Sequence, residues 1–378
     1  GKTVIATALA VAAVENGYQA AIMCPTAVLA EQHYKSMSEQ LAPFGITVEL
    51  LTSGLTAKAK RKVLSAIKDG TAQIIVGTHA VIAKDVIFNK LALTVVDEEH
   101  RFGVEQRDAL AEKAKAGVNN ISMTATPIPR TIASAVYGEN TEIINVHTMP
   151  SGRKPVKTIV YGNEEKVYAS MYNQIRAGHQ CYVVCPLIEE SDSETLAGVE
   201  SVEETYNKMF KWFEKYPAVS IKMINGNMKP TDVKEAISAF SNGDCHIIIS
   251  TTIIEVGVNV PNATVIVVKN AERFGLAQLH QLRGRVGRGD AQSYCVLLSN
   301  QKTNPRLLAM AETTDGFEIA RKDLELRGTG DIVGTKQSGI DKDVNLMLEY
   351  PELYKKIVNE VDIIFEGKRR LEKYSHLG

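Results

Sequence analysis

Three short stretches carry residue types that could act on phosphates. The first is Leu93-Thr94-Val95-Val96-Asp97-Glu98-Glu99-His100, an apolar run that stops at three carboxylates and a histidine. Such a run fits a buried parallel strand whose carboxyl end lies at a site. Two adjacent carboxylates there can divide labour: one holds Mg²⁺, which takes oxygen ligands, and the other orients a water. The plainer alternative is a strand followed by an acidic helix start. The second stretch is Gly1-Lys2-Thr3 before the apolar run Val4–Val14. It reads as the end of a phosphate-binding loop, G-x-x-x-x-G-K-[ST], entering its helix. Lys2 would reach the β and γ phosphates, Thr3 would place its hydroxyl on Mg²⁺, and the helix N-terminus would add N–H groups. The earlier glycine and strand of such a loop are not in the sequence, so the chain reads as starting inside it. GKT alone recurs by chance; with Asp97-Glu98 it supplies both halves that nucleotide hydrolysis needs. The third stretch is Gln278-Leu279-His280-Gln281-Leu282-Arg283-Gly284-Arg285-Val286-Gly287-Arg288-Gly289. Its glycines permit close backbone approach and its arginines supply planar donors. It reads as an arginine finger delivered across a cleft to bound phosphates. The alternative is a basic, solvated helix end.

Positioning these groups requires parallel sheets. In the first half, Ala20–Cys24, Val48–Leu51, Gln73–Val76, the run before Asp97 and Ile121–Thr124 read as strands. Val28–Leu41, Lys58–Lys68 and Val104–Lys115 read as the helices between them. The alternation predicts a sheet covered on both faces, with ligands at the strands' carboxyl ends. Polar clusters fall at such ends: Pro25-Thr26, Gly77-Thr78-His79, Asp97–His100 and Thr124-Ala125-Thr126. Each alone is a plain turn; their repetition on one rim points to a site. Pro/Gly punctuation over His147–Pro155 marks a linker. A second alternating series follows. Its strands are Thr158–Tyr161, Tyr182–Val184, Ser220–Met223, Ile247–Ser250, Val265–Val268 and Cys295–Leu298. Its helices are Glu164–Arg176, Glu203–Lys215, Thr231–Ser241 and Leu276–Arg283. The acidic stretch Glu189–Glu204 is expected as a surface loop, Trp212 as part of a buried helix face, and Leu307–Leu326 as one helix broken at Gly328-Thr329-Gly330.

At 378 residues and 44% hydrophobic content, the chain can fill two or three cores. A net charge of −1 excludes a global basic field, so nucleic-acid binding would rest on local sites. No apolar run is long enough to span a bilayer, and no leader is visible. Cys24, Cys181, Cys185, Cys245 and Cys295 form no CxxC pair and read as buried reduced thiols of a cytoplasmic protein.

Taken together, GKT, Asp97–Gln106 (DEEHRFGVEQ), Thr124–Thr131 (TATPIPRT) and the QLHQLRGRVGRG stretch resemble a superfamily 2 helicase core. More narrowly, the chain is similar to the RecG family of bacterial ATP-dependent DNA helicases. Further support comes from Pro25-Thr26 with Leu29–His33, Thr251–Pro261 (TTIIEVGVNVP), Glu272–Gly289, Asp323–Gly328 (DLELRG) and Gly334–Gly339 (GTKQSG). The resemblance covers essentially the whole chain. It implies an α/β fold with two RecA-like domains in tandem, 1–148 and 149–300, and a C-terminal translocation hairpin with a helical tail in 301–378. A monomer using ATP and Mg²⁺ is implied, bound to duplex and branched DNA without sequence preference.

The resemblance also implies roles. Gly1, Lys2 and Thr3 belong to the phosphate loop. Asp97 holds Mg²⁺ through water and Glu98 polarises the attacking water. Gln281, Arg285 and Arg288 face the γ-phosphate, with Arg288 the leading finger. Thr251, Glu255 and Gly257 lie where the nucleotide and DNA sites meet. Pro25, Thr26, Thr78, His100, Thr124 and Thr126 link nucleotide to DNA. Arg306, Arg327 and Gln337 couple turnover to DNA movement. Asn259 replaces the family's usual aspartate, losing a carboxylate while keeping shape, and the N-terminal wedge domain is not in the sequence. Two rival expectations remain: a translocase that pushes a protein complex along duplex, as the transcription-repair coupling factor does, and an inert duplex-binding fragment whose ATPase is impaired.

Overall fold

The computed structural model describes residues 2–113, 117–124, 141–146, 154–186, 201–251 and 260–327, with 353, 356, 357 and 360 beyond them. The alternating apolar runs build two parallel α/β units. The first unit contains β1 (Gln19–Met23), β2 (Val48–Leu51), β3 (Ile74–Gly77), β4 (Leu91–Asp97) and β5 (Asn119–Met123), in the order β2-β3-β1-β4-β5. Every pairing is parallel. Strands β1 and β3 are buried at every position, because helices cover both faces. These helices are α1 (Lys2–Glu15), α2 (Ala27–Leu41), α3 (Ala57–Asp69) and α4 (Val104–Ala111). Helix α2 turns Ala30, His33, Met37 and Leu41 inward at helical spacing, and Thr26 caps its start by accepting from the Leu29 N–H.

The second unit contains β6 (Lys157–Tyr161), β7 (Gln180–Val184), β8 (Ile221–Ile224), β9 (Ile247–Ser250), β10 (Ala263–Lys269) and β11 (Tyr294–Leu298), in the order β6-β11-β10-β7-β9-β8. All its pairings are parallel as well. Its helices are α5 (Glu164–Arg176), α6 (Val202–Phe213), α7 (Pro230–Asn242), α8 (Leu276–Arg283), α9 (Pro305–Glu312) and α10 (Gly316–Arg327). All five cysteines are buried. Among the described residues, no helix is long and apolar enough to cross a membrane.

The two units repeat one another down to single side chains. The order β2-β3-β1-β4-β5 matches β8-β9-β7-β10-β11, with β6 added beyond β11. Gly17-Tyr18-Gln19 enters β1 and Gly178-His179-Gln180 enters β7; both glycines hold positive φ, at 79° and 86°. Each glutamine is buried and donates its amide to two carbonyls: Gln19 to Ile67 (2.9 Å) and Ala72 (2.7 Å), Gln180 to Phe240 (2.6 Å) and Cys245 (2.7 Å). Leaving such buried groups unmatched would cost about 1–3 kcal/mol each. Both strands then run into Cys-Pro, at Cys24-Pro25 and Cys185-Pro186.

Three expectations need correction or restriction. The single helix Leu307–Leu326 is two helices, α9 and α10, interrupted at Thr313–Asp315. The Asp315 carboxylate accepts from the Phe317 N–H and starts α10, while the carbonyls at the break are taken by a buried arginine described below. The loop expected over Glu189–Glu204 does not extend to its predicted end. Ser201 and Glu204 form a reciprocal capping box, so Glu203 and Glu204 lie in the first turn of α6. Residues 187–200 and 147–153 lie outside the described residues. Trp212 packs as expected against Tyr168 and Phe213 in the core between α5 and α6.

Candidate functional site

Asp97 ends β4 and is 6% exposed. Its Oδ1 accepts the Glu98 backbone N–H at 3.0 Å, and its Oδ2 lies 2.9 Å from His33 Nε2. Glu98 follows with φ 50° and ψ 53°, a left-handed conformation that L side chains rarely adopt. A 3₁₀ turn over Glu99–Arg101, which includes the backbone of His100, then leads to Gly103, whose N–H donates to Gln106 as α4 begins.

The second unit repeats this arrangement with different chemistry. Asn270 follows β10 with φ 46° and ψ 49°, a 3₁₀ turn spans Ala271–Arg273, and the Gly275 N–H donates to Gln278 at the start of α8. The sequence signal is Arg101-Phe102-Gly103-x-x-Gln106 against Arg273-Phe274-Gly275-x-x-Gln278. Lys269 and Asn270 thus stand where the first unit has Asp97 and Glu98. Lys269 is 3% exposed, and its ammonium lies 2.6 Å from Glu164 at the start of α5, beside a cavity of about 270 Å³. The adjacent carboxylate pair is therefore a property of the first unit.

Helix α1 starts at Lys2, so Lys2 and Thr3, both half-buried, lie in its first turn. In the second unit, α8 and the turn after it carry Gln281, Arg285 and Arg288. Arg285 is buried; burial pushes its guanidinium down from its ordinary value, while Glu98 and Asp97 act against that shift. The acids of one unit and an arginine of the other thus feel each other's charge. Arg288 is half-buried and donates from Nε to the Gly284 carbonyl at 3.2 Å. Burial pushes the Tyr182 phenol up to about 12, and Arg288 and Arg285 oppose it, which places both arginines around that hydroxyl. Gln281 is half-buried on α8.

His280, on the same helix, is pushed down to about 4 by burial first and then by Arg283 and Lys2, with Asp315 opposing. It is neutral in the folded protein at pH 5–7, whereas an unfolded histidine takes a proton below about 6.5. The unfolded chain then binds more protons, so stability falls as pH drops from 6.5 toward 4. The loss from this group is expected to reach about 3 kcal/mol. Urea denaturation followed by the fluorescence of Trp212 checks this: His280→Gln should flatten the slope in that window, and an unchanged slope would refute it.

Sequence reasoning missed Arg283, which it treated as one more basic residue of the arginine-glycine stretch. The side chain is 4% exposed and turns away from the carboxylates. Nη1 donates to the carbonyls of Met310 (3.0 Å) and Thr313 (2.7 Å), and Nη2 to that of Thr314 (3.2 Å). It therefore fastens α8 to the break between α9 and α10. Spacing offers no sign of this, because its partners are backbone carbonyls 27–31 residues away. Arg283→Ala is expected to destabilise the second unit by about 2–4 kcal/mol, since charge-assisted bonds are lost and carbonyls are left buried. A urea midpoint read at Trp212 that stayed within error of the native value would contradict this.

On the rim, Thr78 follows β3 and Thr251 follows β9, at equivalent places in the two repeats. Both are buried, and neither hydroxyl meets a hydrogen-bond partner among the described residues. Thr26 caps α2, just after Pro25. Thr124 follows β5, and Arg306 is exposed in the first turn of α9. A cavity of about 460 Å³ opens at the ends of β2 and β3, lined by Thr52, Ser53, Lys60, His79 and Gln106. Gly1, Thr126, Glu255, Gly257 and Gln337 lie outside the described residues, as do the side chains of His100 and Arg327. Among the described residues, no group of three or more His, Cys, Asp or Glu is arranged to cage a metal.

The chain is similar to known helicases. Residues 1–135 match the DEAD/DEAH box helicase family, 165–290 the helicase conserved C-terminal domain, and 313–348 the C-terminal part of domain 3 of the ATP-dependent DNA helicase RecG. The ATP-dependent DNA helicase RecG of Staphylococcus epidermidis is 43% identical over 384 aligned positions, covering 100% of this chain and 55% of that protein. The Staphylococcus aureus protein of the same name is also 43% identical over the whole chain. Over its whole length the chain is similar to RecG helicases. It spans about half the length of the curated relatives it matches. A solved structure of RecG bound to a three-way DNA junction superposes with a TM-score of 0.69 at 36% identity, over 92% of this chain and 45% of that one. Yeast Dbp5 bound to RNA and ADP BeF3 shares the fold, with a TM-score of 0.60 at 17% identity over 84% of this chain and 81% of its own. The two units are accordingly tandem RecA-like domains.

Proposed function

We propose that this chain is the ATP-driven motor core of a protein that moves on duplex DNA and remodels branched DNA. The observation that carries the reading is the asymmetry of the repeat: the first unit holds the carboxylate pair, and the second places the buried Arg285 within its field. We place the division of the motor near residues 148 and 300, and take it to act as a monomer. Lys2 and the first turn of α1 would bind the β and γ phosphates. Thr3 and Asp97 offer the oxygen donors that Mg²⁺ takes, and the ion, when bound, would neutralise phosphate charge. Glu98 orients and deprotonates the attacking water, while Gln281, Arg285 and Arg288 stabilise charge on the transferred phosphoryl group.

The track is held on the rim. Thr78 and Thr251 occupy equivalent places in two similar domains, so the strand ends that carry them can face phosphates a fixed step apart on one strand. Pro25-Thr26 and the cavity around Lys60 and His79 extend that surface. His100, Thr124, Thr126, Glu255 and Gly257 would join it to the nucleotide site, and Arg306, Arg327 and Gln337 would pass the motion to duplex. Contacts of this kind carry little sequence information and weaken steeply with salt.

ATP hydrolysis by the full-length protein, with no nucleic acid, linear duplex, single strand, RNA or a synthetic fork, tests the reading. Strong stimulation by the fork is expected. Equal stimulation by linear duplex would favour a duplex translocase, and stimulation by RNA alone would overturn the assignment of the track.

A further inference from the structure

Helix α2 joins three places that the mechanism needs to connect. Its first residues follow Pro25-Thr26 on the rim. One edge touches the second unit: Val28 packs on that unit's core, and Glu31 lies 3.7 Å from Lys234 on α7. The ion pair is exposed and contributes little energy, so it marks position more than strength. The inner stripe of the helix is Ala30, His33, Met37 and Leu41, an apolar row with one histidine in it. That histidine is 8% exposed, and its Nε2 lies 2.9 Å from Asp97 Oδ2.

The other Asp97 oxygen accepts from the Glu98 backbone, which moves with β4. Of the two contacts, only His33 ties the carboxylate to a different element, and that element is the one the second unit touches. We propose that His33 is a positioning residue: it sets the orientation of the Asp97 carboxylate, and through it α2 transmits the approach of the second unit to the metal-binding oxygen. The inference rests on the reading of Asp97 as the carboxylate that serves Mg²⁺. Groups that orient a metal-binding side chain are typically worth tenfold to a hundredfold in metal affinity.

The test measures equilibrium binding of a fluorescent ADP analogue to the full-length protein as Mg²⁺ is titrated, with no turnover involved. His33→Ala is expected to raise the Mg²⁺ midpoint at least tenfold and to change metal-free nucleotide binding less than about twofold. His33→Gln, whose amide nitrogen can take the place of Nε2, should recover most of the native midpoint. Should His33→Ala fail to fold, His33→Asn replaces it, since its shorter amide cannot reach Asp97 as Nε2 does. A native midpoint in either truncated variant overturns the inference, as does His33→Gln behaving like His33→Ala. Asp97→Asn is run alongside. If it too leaves the midpoint native, the metal role of Asp97 falls; if it raises the midpoint while His33→Ala does not, the role of His33 alone falls. Adding forked DNA should lower the native midpoint. Val28→Ala with Glu31→Ala should weaken that shift, and an undiminished shift would remove α2 from the coupling.

Discussion

Arg288→Ala is expected to lower fork-stimulated ATP turnover by about three to five decades, the usual worth of an arginine supplied to a transferring phosphoryl group. Nucleotide binding should change far less, because the side chain is needed where charge develops and not where the substrate is first held. Arg288 is half-buried and donates its Nε to the Gly284 carbonyl. Arg285→Ala is a harsher change: the side chain is buried and lies within the field of Glu98 and Asp97. It should lose comparable activity and some stability as well. Arg288→Lys should recover little, since a point charge lacks the planar fork. Single-turnover rates at saturating nucleotide, with thermal melts of each variant, separate the cases. A loss below tenfold for Arg288→Ala, with collapse for Arg285→Ala at native stability, would move the finger to Arg285.

Glu98→Gln should lower turnover by about two to four decades with binding preserved. The exchange keeps shape and removes the charge that accepts the water's proton. Glu98 adopts left-handed φ/ψ without being glycine, a conformation that costs on the order of 1–3 kcal/mol. The Asp97 carboxylate helps hold it there through the Glu98 N–H, a contact the glutamine keeps. The variant should therefore melt like the native protein and bind an ATP analogue with native affinity. Turnover within tenfold of native, on a fold shown intact, would exclude Glu98 as the base. The counterpart Asn270, in the same conformation on the other unit, serves as a control: Asn270→Asp should leave turnover and nucleotide affinity native, because the neighbouring Lys269 and Glu164 already satisfy each other.

Much of the fold was legible because parallel strands buried on both faces are nearly uninterrupted apolar runs. All the expected strands were found, with ends shifted by at most two residues, since caps and turns rather than hydrophobicity decide where pairing stops. Asp97-Glu98 was legible for the same reason: charge directly after such a run must sit at a strand end. Leu307–Leu326 misled because its apolar spacing continues through Thr313–Asp315. The break is stabilised by Arg283 from another helix, and periodicity is blind to that partner.

The sequence by itself determined the class of fold, the place of the acid pair, and the arginine-glycine stretch, because composition and spacing act locally. Tertiary structure alone decided that Arg285 lies in the field of Glu98 while Arg283 turns away to the hairpin. It also decided that His33 meets Asp97 across 64 positions of chain and that the buried Lys269 pairs with Glu164. These outcomes depend on which surfaces meet within each unit and between the two, and a contact between distant residues leaves no period in the chain to read.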